Sequence, residues 1–273
     1  MLLTAPNRTS LPTSLTVLLA PSAAVVPGTF SDVSVDAPGH AHLLAGVQRL
    51  RARAYLEDGA ITSAQITPDG RHVQAADAQS WHVIQIRPNG EVVGAARYHE
   101  HAPGTPVTAL GVWTSALAQD PSWRATLRAA IEDEMALAAR RGIGFAEVGG
   151  WAVAKEHRGS SDALETALST FALAAHAGGA IALTTATVRH ASSRMLRRLG
   201  GRSLSFAGVE LPSYFDPQYD CMMEILRFDA SEPSERFQAL LSRTAAKMHA
   251  LPIVCAKPGT RREVSLPSVA TAA

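Results

Sequence analysis

The stretch Glu147-Val148-Gly149-Gly150-Trp151-Ala152-Val153 places a carboxylate just before a glycine pair, inside a run that otherwise favours a β-strand. Arg158-Gly159-Ser160-Ser161-Asp162-Ala163 follows, a basic residue and small residues in front of a segment with helical periodicity. A helix N-terminus leaves backbone N–H groups without internal partners and carries the positive end of the macrodipole, so such a turn suits a phosphate. An ordinary strand-to-helix turn would have the same composition. The glycine pair marks either a bulge, whose freed backbone groups can bond an amide or a developing oxyanion, or a place where a helix packs closely. Glu147, an isolated carboxylate on a buried strand, is expected to have a raised pKa and to take up a proton near neutral pH, directly or through a water. Its alternative role is structural, paired with an arginine such as Arg97 or Arg158. Arg97 has the planar fork that grips a carboxylate bidentately, and it can equally be a structural residue.

Composition narrows the partners. The chain has 273 residues, 47% of them hydrophobic, with Lys+Arg 25 against Asp+Glu 24. That balance gives no basic surplus for sequence-independent binding of nucleic acid or of an anionic membrane. No apolar run approaches the roughly 18 residues of a membrane span. Leu15 to Ala20 is short, bounded by Pro12 and Pro21, and lacks a basic start, so no cleaved signal is expected. Cys221 and Cys255 stand far apart, which argues against a disulfide framework or a zinc site and for a reducing, cytoplasmic setting. His82, His99, His101 and His190 show no metal-ligand spacing, so no metal is called for. Cys221 has the chemistry of a nucleophile that could be acylated, but it lies in CMMEILRF, which reads as a core strand.

The elements that must position these groups follow from periodicity. His42 to Tyr55 places Leu43, Val47, Leu50 and Ala54 on one helical stripe. Two β-rich runs flank Pro88-Asn89-Gly90 as a hairpin. Asp120 is expected to cap a helix starting at Pro121, with Leu127, Ile131, Met135 and Ala138 facing inward and Gly142 as its stop. The Glu147 strand comes next, then a helix from about Asp162 to His176 with Asp162 and Glu165 as a capping box, and the strand IALTTATV. A short helix spans Ser192 to Leu199, strands span about Ser203 to Glu210 and Cys221 to Phe228, and a last helix spans Pro233 to His249. Strands alternating with helices require parallel pairing in the second half, whereas the hairpin and the final pair are antiparallel. The organisation expected is a partly ordered arm over residues 1–39, one α/β domain over 40–230, a C-terminal helix over 231–252 and a disordered tail over 253–273.

This order of elements resembles the GNAT acyltransferase superfamily, from about Ala41 to Phe228. The superfamily's acyl-carrier loop reads Q/R-x-x-G-x-G/A; Arg158 and Ala163 match it, with Ser161 where the motif has its first glycine. Within the superfamily the chain is more similar to the N-acyl amino acid synthases and acyl-homoserine lactone synthases. LRARAY precedes a segment from Asp77 to His82, the second hairpin strand carries Gly94-Ala95-Ala96-Arg97 like the family's G-x-x-R, and an extra helix precedes the Glu-led strand. Gly150 stands where the lactone synthases usually have arginine, which speaks against a lactone product.

The resemblance implies a single GNAT-like domain: a mixed, mostly antiparallel sheet with a parallel, splayed pair in the middle and flanking helices. It implies an acyl group transferred from a thioester, of coenzyme A or of the phosphopantetheine arm of acyl carrier protein, to a small amine such as an amino acid. Trp151, Ala152, Val153, Arg158, Gly159, Ser160, Ser161, Asp162 and Ala163 would hold the donor, Arg97 the acceptor's carboxylate, and Glu147 the proton route. Many superfamily members use a tyrosine as leaving-thiol acid, whereas Arg194 to Leu199 contains none. Two alternatives stay open: another thioester reaction, such as hydrolysis or decarboxylation, and a catalytically silent acyl-carrier-binding module.

Overall fold

The computed structural model describes residues 14–24, 26–189 and 192–257; His190 and the tail from 258 lie outside the described residues. A central sheet runs β10-β11-β6-β5-β4-β3-β1-β12-β2, with β7 beside β11. Its strands are β1 (Leu15–Leu19), β2 (Val33–Val35), β3 (Trp81–Ile86), β4 (Val92–His101), β5 (Gly144–Val153), β6 (Ala180–Thr187), β7 (Arg202–Ser203), β10 (Tyr214–Asp216), β11 (Cys221–Asp229) and β12 (Ile253–Cys255). β8 (Ser205–Phe206) and β9 (Val209–Glu210) form a separate hairpin. The helices are α1 (Ala37–Glu57), α2 (Ala116–Gln119), α3 (Arg124–Arg141), α4 (Ser161–His176), α5 (Ser192–Arg198) and α6 (Gln238–Met248). The mixed, mostly antiparallel sheet expected from the sequence is present, with β5 and β6 as the parallel pair at its centre.

Strand alternation separates two layers. On β5 and β6, Ala146 and Ala182 pack with Leu168 and Ala172 of α4 and Leu241 of α6. Phe145, Ile181 and Leu183, pointing the other way, pack with Leu127 and Ile131 of α3. Val47 and Leu50 of α1 lie against Val93 and Ala95 of β4. Glu147, in phase with Phe145, and Arg97, in phase with Ala95, therefore face the α1 and α3 layer.

β5 and β6 pair only from Gly144↔Ala180 to Glu147↔Leu183, although both strands continue. The cause is in β5. Ala95 pairs with Ala152 but Arg97 pairs with Gly149, so Gly150 and Trp151 together oppose Ala96. That is a bulge, and Gly150 sits in it at φ +60, where a residue with a side chain would be strained. A Cβ on Gly150 would also approach Arg51 and Arg97, so close packing accompanies the bulge. Beyond Glu147 the edge of β5 that faces β6 has no strand partner among the described residues.

Several expected boundaries moved. Helix α3 begins at Arg124, because Asp120 spends its carboxylate on the amide of Ser122 in a turn that precedes it. Ser160 caps α4 by accepting from the Asp162 amide, and Asp162 is committed elsewhere. Ser203 to Glu210 is broken by the turn at Ala207 and Gly208, both at positive φ, and does not form one long strand. Leu15–Leu19, in the N-terminal stretch expected to be either a loosely ordered arm or a strand with a tail, is a strand, and an interior one, paired with β3. Ile253–Cys255, placed in the disordered tail, lies between β1 and β2, where its amides complete two parallel ladders.

Candidate active site

Two cavities meet where β5 and β6 part. The larger, about 650 Å³, is polar and includes Arg97, His99, Glu147, Thr184, Arg189 and Tyr219 in its lining. The smaller, about 90 Å³, runs between the sheet and α4 among apolar side chains, including Ala167, Phe171, Ala182 and Phe228. Arg97, Gly149, Trp151 and Thr184 border both. The bulged segment of β5 is therefore the partition between an apolar space and a polar one. The Nε1 of Trp151 is buried there with no partner among the described residues.

Glu147 is held from three sides. Its Oε1 accepts from the Val112 amide at 2.6 Å, and its Oε2 accepts from the Gly111 amide at 2.8 Å and from Nε2 of His101 at 2.9 Å. Burial pushes its pKa up, but the His101 hydrogen bond and the two amides more than offset that, and the pKa lies below the ordinary value. The expectation of a raised pKa is thus overturned, because backbone donors replace the water that burial removes. The expected alternative, pairing with Arg97 or Arg158, is also not what forms; imidazole and amides take that place.

Arg97 belongs to a second buried cluster. Its Nη1 donates to Oε1 of Gln74 at 2.6 Å and to Oδ1 of Asp77 at 3.3 Å. Asp77 also accepts from Arg51, through Nη1 at 3.0 Å and Nη2 at 2.6 Å, from Gln48 and from the Gln74 amide. Arg51 is fully buried. Burial raises the Asp77 pKa, yet hydrogen bonds and charge from Arg51 override it and hold the carboxyl down at about 2. Two guanidiniums share one carboxylate, which leaves an uncompensated positive charge where Arg97 borders the cavities.

The Arg158–Ala163 turn lies apart from both linings. Arg158 pairs with Asp58 at 2.9 Å and with Glu57 at 3.6 Å, at the end of α1. Behind the turn, His157 is fully buried, with its Nδ1 2.7 Å from Asp162 and its Nε2 2.5 Å from Arg87. Arginine can only donate, so Nε2 accepts and Nδ1–H donates to Asp162. The turn is thereby bolted from below, while the amides of Gly159 and Ser161 make no hydrogen bond to a described residue. Asp58 lines the polar cavity, which brings the Arg158 pair to its rim. Ala152 packs under α1, and neither it nor Val153 lines a cavity.

The structure thus brings Arg97, Glu147 and Trp151 together, and keeps the turn, Ala152 and Val153 apart from them. It adds residues that sequence reasoning passed over. Alternation along β4 puts Arg97, His99 and His101 on one face, and that period of two was the available signal. Although Arg194 to Leu199 holds no tyrosine, Tyr55, Tyr214 and Tyr219 reach the polar cavity from other segments. Burial pushes the Tyr219 hydroxyl up to about 12. Cys221 is buried and burial raises its thiol, which suits a core residue and not a nucleophile. Among the described residues no group of three or more His, Cys, Asp or Glu could hold a metal ion.

No protein-family model matches the chain, and no curated protein matches its sequence. Solved structures do. A CoA-dependent acyl-homoserine lactone synthase, BjaI, with SAM and isopentyl-CoA superposes at TM-score 0.54 with 14% identity, covering 91% of this chain and 95% of that one. The chain shares the overall fold of that protein. The same synthase with MTA gives 0.54 at 13% identity over the same shares of the two chains. FeeM, an N-acyl amino acid synthase from uncultured soil microbes, superposes at 0.43 with 15% identity over 81% of this chain and 93% of that one, too loosely to inform the site. Among the described residues no helix is long and apolar enough to cross a membrane.

Proposed function

We propose that the protein is an N-acyltransferase that moves an acyl group from a thioester, of coenzyme A or of acyl carrier protein, to the amine of a small molecule bearing a carboxylate. The observation that carries this reading is the partition at Gly149–Trp151, with an apolar cavity on one side and a polar one on the other. An acyl thioester joins an apolar chain to a polar arm, and its reactive carbon lies where the two meet. The partnerless edge of β5 can pair with the amides of a pantetheine arm as a strand would, and bulge amides can bond the carbonyl oxygen as it becomes negative. The turn at Arg158–Ala163 takes a phosphate of that arm on its free amides.

Arg97 binds the acceptor's carboxylate, supported by the surplus positive charge it shares with Arg51. The amine nitrogen then attacks the thioester carbon, the C–N bond forms, one N–H proton leaves, and the C–S bond breaks to release the thiol. Glu147 supports the polar wall by holding Gly111, Val112 and His101 in place. A BjaI-like use of SAM is not part of this reading, because Gly150 stands where the lactone synthases usually have arginine and a side chain there would crowd Arg51 and Arg97.

The test is a panel of acyl-CoA and acyl-carrier-protein donors, with and without amino acids, read by thiol release and by the mass of the product. An amide formed only when amine is present supports the proposal. Thiol released at full rate without amine indicates hydrolysis, and donor binding with no thiol release indicates a carrier-binding module.

A further inference from the structure

We infer that His99, and not Glu147, takes the proton from the attacking amine. This inference rests on the acyl-transfer reading and names a residue for it. Alternation along β4 turns Arg97, His99 and His101 to the same side, and His99 lines the polar cavity between the other two. His101 is spent on Glu147, and both oxygens of Glu147 are occupied by donors. His99 is differently placed. Its Nδ1 lies 3.1 Å from the Ser80 hydroxyl, and that hydroxyl lies 2.6 Å from the Ala76 carbonyl.

A serine has one proton to give, and a carbonyl can only accept, so the Ser80 proton goes to Ala76. Towards His99 the Ser80 oxygen must then accept, which puts the ring proton on Nδ1. Nε2 is left with its lone pair. It has no side-chain partner and is not a buried atom lacking one, so it is assigned to the cavity that His99 lines, with the Gln79 carbonyl, next to Ser80 in the chain, placed on the Nδ1 side of the ring. The ring is fixed from its other side by His101, edge-on at 4.5 Å between centroids and 87° between planes.

The groups that face the ring decide its charge. Burial lowers its pKa first; His101 and then Arg97, on its own strand, lower it further. The Gln79 carbonyl and Glu147 of β5 act against them without reversing the direction. The 107–114 segment, which closes this side through Gly111 and Val112, carries no titratable side chain. His99 is therefore a neutral imidazole at pH 7 with an available lone pair. As the C–N bond forms, the amine N–H proton passes to Nε2; the thiolate leaves with the C–S electron pair, and the imidazolium gives the same proton to that thiolate or to water. One residue thereby serves both proton steps, in a chain with no tyrosine between Arg194 and Leu199.

The experiment combines kinetics with 15N NMR of the histidine rings in the full chain. The wild type should show the His99 ring as the Nδ1–H tautomer at pH 7, and its rate should fall on the acid side as the ring protonates. His99→Ala should lower kcat by about 10²- to 10⁴-fold, leave the donor KM within about twofold, lose the acid limb and recover partly with added imidazole. His99→Gln, which keeps bulk, should be as slow. Wild-type turnover that survives H99A within threefold, or an Nε2–H tautomer, overturns the role of His99 alone. A wild type that releases no thiol from any donor with any amine overturns the acyl-transfer reading, and His99's role falls with it.

Discussion

Asp77, buried, and Glu147, half-buried, are both carboxylates with depressed pKa values, and they are held down by opposite means. Around Asp77 stand two fixed cations, Arg51 and Arg97, with Gln48 and one backbone amide. Around Glu147 stand two backbone amides and one imidazole. The first arrangement makes a carboxylate inseparable from the charges it neutralises, and leaves net positive charge over for a ligand. The second makes a carboxylate the anchor of a piece of chain, since the 107–114 segment reaches the sheet through the amides it offers. Neither is free to act as a base at neutral pH, and in each cluster a neighbouring group borders the polar cavity: Arg97 beside Asp77, and His99 beside His101.

The comparison breaks most visibly at Asp77. Replacing Asp77 with Asn removes the negative charge but leaves Arg51 fully buried and uncompensated, a change that typically costs about 3–5 kcal/mol. Urea unfolding of D77N should show that loss as a lower midpoint at unchanged slope. A loss below about 1 kcal/mol would mean that water reaches Arg51 and that the cluster is not closed.

Acid should dissect the same cluster in two windows. His82 donates to the Asp77 carbonyl, and burial lowers its pKa from 6.5 to about 4. Between pH 6.5 and 4 the unfolded chain binds a proton there that the folded protein refuses, so stability falls as pH falls, by about 1.4 kcal/mol per unit for one proton. His72 and His99, shifted in the same direction, add to this window. Asp77 follows: its carboxylate is stabilised above about 3.8, and that contribution is lost as pH drops through about 2, roughly 2–3 kcal/mol in all. His82→Gln should flatten the upper limb and spare the lower one. A wild type whose stability is level from pH 6.5 to 4 would contradict a neutral, buried His82.

Glu147→Gln should have a smaller effect. Glutamine offers one oxygen and an NH2 where three donors converge, so at least one donor loses its acceptor, a cost of about 1–3 kcal/mol. Hydrogen exchange at Gly111 and Val112 should quicken more than in the sheet. Exchange at those amides as slow as in the wild type would remove the anchoring role.

What could be foreseen in the molecule follows the range of the interactions. Helix α4 and the β3–β4 hairpin are local patterns, so Leu168, Ala172 and Pro88-Asn89-Gly90 announced them. Gly149-Gly150 announced irregularity in β5, and the bulge is there. The β1–β12 ladder was out of reach, because two short strands from opposite ends of the chain pair with no periodic signal between them. The Glu147 site misled for a related reason: its partners are main-chain amides of Gly111 and Val112, and any sequence supplies amides. Ser80 fixing the His99 tautomer depends on where one hydroxyl points, which the residue type does not encode.

The smallest effect lies where the same chemistry meets water. Arg158 and Asp58 form a guanidinium–carboxylate pair like Arg51 and Asp77, but their side chains are 40% and 29% exposed where the buried pair is 0% and 3%. In that setting the Coulomb gain is screened and two long side chains must be ordered, so the pair is worth about 0–1 kcal/mol. Arg158→Gln should therefore leave the unfolding midpoint almost unchanged. Its effect should appear in donor binding, as a few-fold rise in Kd that shrinks with added salt, because the arginine would add charge to a phosphate seated on the Gly159 and Ser161 amides. A Kd for acyl-CoA equal to that of the wild type at low salt would detach the turn from donor recognition and leave it as the N-terminal cap of α4, bolted by His157 and nothing more.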